Sequence, residues 1–140
     1  MARLKWPLIA ILASTGFLFG GATIMGWIAG WEHVIALIFI IGVGKMAAFF
    51  APAAPRSNAF VAGFLMALVA VWTQGVFLRT YFENNPDYAA TDIPLGLSAQ
   101  AWTFLAAPVG ALFAGALAVL SAIVFAFLFK RFWPRGSRHA

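Results

Sequence analysis

The chain has 140 residues, of which 64% are hydrophobic and 9% charged, and its mean hydropathy is +0.93. Nine Lys and Arg with four Asp and Glu are too few to cover a water-soluble domain of this length without leaving broad apolar patches, and the same composition excludes disorder. The absence of cysteine excludes a disulfide framework, a thiolate metal centre and a thiol nucleophile.

Four apolar runs meet the length needed to cross a hydrocarbon core, so the fold class expected is an all-α membrane protein, a four-transmembrane-helix bundle forming one domain over residues 1–140. The first helix is expected from Pro7 to Ile28, with proline at a helix start and Trp6 and Trp27 at interface positions. Its apolar run is too long for the core of a secretory signal, so it is read as a retained span. The second helix is expected from His33 to Phe50. It is ended by Ala51-Pro52, since proline disfavours helical geometry in the residue before it, and the short Gly30-Trp31-Glu32 link makes it an antiparallel hairpin with the first. The third helix is expected from Asn58 to Leu78, with Ser57 or Asn58 as its cap. The fourth is expected from Trp102 to Phe129, long enough to demand tilt, a kink at Pro108 or an interfacial first turn. The 79–101 loop between them carries Asn85-Pro86-Asp87-Tyr88, the order of a short helix or turn.

Charge divides by side. Arg3, Lys5, Arg56, Lys130, Arg131, Arg135 and Arg138 fall on one face, while Arg79, Glu32, Glu83, Asp87 and Asp92 fall on the other. The positive-inside rule then places both termini in the cytoplasm, and a bacterial inner membrane is the expected location. The basic tail from Lys130 to His139 interleaves basic and aromatic residues, which suits anionic lipid. The basic balance is explained by membrane topology and calls for no nucleic acid.

Helices in lipid associate through small residues that let backbones approach. The fourth helix carries Ala106, Gly110, Ala114, Ala118, Ala122 and Ala126 at every fourth position, and Gly110, Ala114, Ala118 and Ala122 are the candidate packing interface. The ridge serves either the bundle itself or contact with a second copy or a larger membrane complex.

Few residues are suited to chemistry. Lys45 is the one formally charged side chain within a span, and intramembrane ionisable groups are functional candidates. It lies near a helix end, where snorkelling competes with contact to a substrate, ion or headgroup. Gln74, beside Thr73, is expected to hydrogen-bond a neighbouring helix, and Ser14, Thr15, Thr23 and Ser121 to bond carbonyls of their own helices. Arg79 and Glu83, one turn apart, form a candidate ion pair. Glu32, His33, Glu83, Asp87 and Asp92 show no regular metal-ligand spacing and read as a solvated loop. With no catalytic, cofactor-binding or metal-ligating set, the expected function is non-enzymatic: an accessory subunit or self-associating bundle working through helix packing. The alternative is a small homo-oligomeric transporter or channel with Lys45 and Gln74 at the two ends of its path.

Overall fold

The computed structural model describes residues 4–89 and 96–132. It is all-helical, with no strand among the described residues, in the order α1 (Trp6–Ile24), α2 (Glu32–Phe50), α3 (Pro55–Val76), α4 (Leu78–Asn84), α5 (Pro86–Ala89) and α6 (Ala99–Phe132). Of these, α1, α2, α3 and α6 are long and apolar enough to cross a membrane.

The helix ends have local causes. α1 stops at Ile24, one turn short of the expected Ile28, because Gly26 adopts φ +69° and Gly30 φ +78°, a left-handed conformation that glycine tolerates and a continuing helix does not. Successive turns then lead into α2. α3 begins at Pro55, earlier than Asn58, with no side-chain cap; proline in the first turn has no N–H to leave unsatisfied. Ser57 and Asn58 therefore lie inside the helix, and the capping role expected of them is not used. α6 starts at Ala99 and runs uninterrupted through Pro108 to Phe132, extending the expected span at both ends. Its 34 residues measure about 51 Å at 1.5 Å per residue, well beyond one hydrocarbon thickness.

Contacts at the helix ends give the directions. Lys5 Nζ donates to Phe50 O at 2.7 Å, and the Lys5 backbone N–H donates to Asn58 Oδ1 at 2.7 Å. The start of α1 therefore meets the end of α2 and the start of α3. α1 and α2 are antiparallel, yet they touch only slightly: α1 packs mainly on α3, α2 mainly on α6, and α3 with α6 forms the largest interface. α3 is thus the central helix, in contact with the other three.

The pairing follows the small residues. A Cβ on Gly63 of α3 would lie 2.8 Å from Ala118 Cβ and 3.1 Å from Ala114 O, so α3 and α6 are close enough that only glycine fits. Gly16 of α1 lies equally tight against the α3 backbone at Met66 and Ala70. Between α2 and α6 a constant offset of 80 residues runs along parallel helices: Ser121 Oγ donates to Ile41 O at 2.9 Å, Lys45 lies over Phe125, and Phe49 packs edge-on to Phe129 at 5.6 Å. Ile9, Leu12, Met66 and the alanines of α3 and α6 fill the centre. The large side chains, among them Leu18, Phe113 and Phe127, are turned outward.

Candidate functional site

The intramembrane polar residues are distributed along the helix seams. Gln74 Nε2 on α3 donates to Thr23 Oγ1 on α1 at 2.7 Å, while Thr23 Oγ1 donates in turn to Gly20 O. Ser121 crosses to α2 instead of bonding within its own helix, because Gly44 opposite leaves room for the close approach. Asn58, fully buried, accepts from Lys5 N and donates to Ala54 O. Ser14 and Thr15 bond carbonyls of their own helix.

Lys45 is exposed on the outer surface of α2, its ammonium 5.8 Å from the centroid of the Phe125 ring, a distance at which the ring face attracts a cation. It shares no contact with Gln74, which sits toward the opposite end of the bundle. Ala114, Ala118 and Ala122 are buried in the seams of α6 with its neighbours. Gly110 is different: it is exposed, and a Cβ there would meet nothing within 4 Å. The small ridge thus divides into an inner part that builds the bundle and an outer position one turn earlier.

Charge segregates between the ends. Lys5, Arg56, Lys130 and Arg131 lie with the start of α1, the start of α3 and the end of α6. Arg79, Glu32, Glu83 and Asp87 lie at the other end. Arg79 Nε donates to Glu83 Oε1 at 3.0 Å, with both side chains well exposed. Arg3, Asp92 and the tail from residue 133 lie outside the described residues.

The acidic end carries a polar cluster that the sequence does not reveal. α4 and α5 fold back over the end of α1, where Asn84 Nδ2 donates to Ile24 O at 2.8 Å and Asn85 Nδ2 donates both to Thr23 O and to Tyr81 O at 2.9 Å. Helix ends leave carbonyls short of intrahelical partners, and the two asparagine amides bond those of Thr23, Ile24 and Tyr81, sharing Thr23 O with the Gly26 N–H. Glu32, in the first turn of α2, is only 8% exposed, and Asn85 only 3%. Tyr88 OH lies 3.5 Å from Glu32 Oε2, and the Tyr81 and Tyr88 rings are 6.0 Å apart. Burial, then the neighbouring Tyr88 and Glu32 charges, push the Tyr81 phenol up to about 12. Glu32 is therefore not part of a solvated loop. Its one sequence signal is its position, tight between two apolar runs.

Among the described residues no three of His, Asp, Glu or Cys gather as a metal-ligating group. No family model, curated protein or solved structure matches this chain.

Proposed function

We propose that the protein is a non-enzymatic, multi-pass membrane protein that works through helix packing, as an accessory subunit of a larger membrane complex or as a self-associating bundle. The observation that carries this reading is the use made of the intramembrane polar side chains. Gln74, Thr23, Ser121 and Asn58 are spent tying one helix to the next, which is how polar groups in lipid hold a bundle together. The outer surface left over is apolar and aromatic, with Gly110 as a point of close approach. The basic end faces the cytoplasm on the positive-inside rule, in a bacterial inner membrane, with anionic lipid at the tail.

Native mass spectrometry of the gently extracted assembly tests the proposal. A stoichiometric second chain or a defined homo-oligomer is expected, dissociated by Gly110→Leu and retained by Lys45→Ala. A transporter or channel is the competing reading, favoured by the outward-facing ammonium of Lys45. It predicts the reverse: flux in reconstituted vesicles that changes with Lys45→Ala. A wild-type monomer without partners overturns the packing role.

A further inference from the structure

Of the charged side chains on the four spanning helices, Lys45 alone lies away from a helix end; Glu32 and Arg56 stand in first turns, Lys130 and Arg131 in a last turn. It precedes Phe50, the last residue of α2, by five residues, which places it about 7 to 8 Å inside that end at 1.5 Å per residue. Snorkelling works against the local geometry. The Cα–Cβ bond tilts toward the helix N-terminus, so Lys45 leaves the backbone pointing away from the basic end. Its ammonium is held over the ring of Phe125, 5.8 Å from the centroid. The side chain is exposed, so on a spanning helix it faces lipid, where a charge taken out of water needs a counter-charge. Among the described residues none is supplied: Glu32, Glu83 and Asp87 lie at the opposite end, and the one ion pair joins Arg79 to Glu83.

The face around Lys45 has a shape as well as a charge. Ile38, Gly42, Lys45 and Phe49, three or four residues apart, share one side of α2. Ile38 and Phe49 are exposed, and a Cβ on Gly42 would meet nothing within 4 Å. Because α2 runs toward the basic end, Gly42 and Ile38 lie on the bilayer-centre side of Lys45. That is the order of a phospholipid in this leaflet, with its phosphate nearer the interface and its acyl chains running inward past the notch at Gly42. An anion that reaches Lys45 from the side must carry an apolar body, which a free phosphate lacks. We propose that Lys45 binds the phosphate of an anionic phospholipid from the leaflet at the basic end, with an acyl chain seated along Gly42 and Ile38. A zwitterionic headgroup brings its own ammonium to the phosphate, so a lipid such as phosphatidylglycerol is preferred. The site is separate from the basic tail and does not depend on the packing role.

The test is native mass spectrometry of the full chain in detergent, with equimolar phosphatidylglycerol and phosphatidylcholine of matched acyl chains. Wild type is expected to retain phosphatidylglycerol preferentially, and Lys45→Met to lower that preference about fivefold, the effect of one basic residue at an anionic surface. Lys45→Arg should keep the preference, and Lys130→Met should leave the first bound lipid in place. Gly42→Leu, which fills the notch, should weaken retention of both lipids. Equal retention of the two lipids by wild type, or an unchanged preference in Lys45→Met, overturns the proposal. So does an equal loss in Lys130→Met, which would mean a diffuse field, or displacement of the lipid by inorganic phosphate, which would mean a site for the free anion. A second protein chain lost with Lys45→Met, where no lipid is, assigns the ammonium to a partner's carboxylate instead. Unchanged retention in Gly42→Leu removes the acyl seat. Subunit mass in the same spectra reports the packing role, so either reading can fail alone.

Discussion

Gly44→Ala and Gly42→Ala, two residues apart on α2, make a paired test of how the bundle is held together. Both substitutions gain the same helix propensity, about 1 kcal/mol in aqueous hosts, so that term cancels in the comparison. At Gly42 the new methyl meets nothing within 4 Å. At Gly44 it arrives 2.5 Å from Ala118 O and 2.5 Å from both Ser121 Cβ and Oγ. That is about 1 Å short of ordinary contact, and much of it is against backbone, which cannot rotate away. α2 and α6 must separate, at an overpacking cost of about 1 to 3 kcal/mol. The separation also stretches the 2.9 Å bond from Ser121 Oγ to Ile41 O, an interhelical bond of a kind worth about 0.6 kcal/mol on average. Gly44→Ala should therefore be less stable than Gly42→Ala by about 2 to 4 kcal/mol. Reversible unfolding of both variants in mixed micelles measures the difference, with helix content as the signal. Equal stability, or Gly44→Ala the more stable, would refute the close α2–α6 approach.

Other consequences are as direct. A double-mutant cycle of Gln74→Ala with Thr23→Val should return a coupling of about 0.6 to 1.7 kcal/mol, the range for polar pairs between membrane helices, and additive effects would show that the α1–α3 bond does not form. Because the Tyr81 phenol titrates near 12 in the folded protein and near 10 when unfolded, its contribution to stability is complete below pH 10 and is lost as pH rises through 12. With two tyrosines in the chain, phenolate absorbance should show a late phase that Tyr81→Phe removes, and loss of the early phase instead would contradict the assignment. The chain has no native cysteine, so single cysteines report sidedness directly: Arg56→Cys should react with an impermeant thiol reagent only from the cytoplasmic side and Glu83→Cys only from the other. The opposite pattern would invert the topology.

The apolar runs mark where helices lie, and their number and approximate extent are legible because hydrocarbon demands long uninterrupted hydrophobicity. Their exact ends are less so. Hydropathy continues past Ile24 through Met25, Trp27 and Ile28, while the backbone turns at Gly26 through a torsion that composition does not record. Neighbour choice is also hidden. A tight link suggests that α1 and α2 pack together, but small-residue faces decide the partners: Gly16 selects α3 for α1, and Gly44 selects α6 for α2. All four spanning helices carry small residues at close approaches, and spacing alone does not say which fits which. The burial of Glu32 is the least legible feature of the sequence. At the edge of a span a carboxylate reads as solvated, whereas α5 brings Tyr88 to within 3.5 Å of Glu32 Oε2.

The offset of 80 residues between α2 and α6 also sets a clock. At about 5 to 20 residues per second of synthesis, α6 follows α2 by roughly 4 to 16 s. Through that interval the face formed by Ile40, Val43, Gly44 and Ala47 has entered the membrane without the helix it finally packs against, and α1 offers it little contact in exchange. The arrival of α3 gives α1 its partner first, so assembly proceeds by stages, and the seam that closes last is the one built by the last helix to be made. A nascent chain stopped before α6 exposes an unmatched glycine-lined face to the bilayer, open to the insertion machinery, to quality-control proteases and to the α6 of another copy.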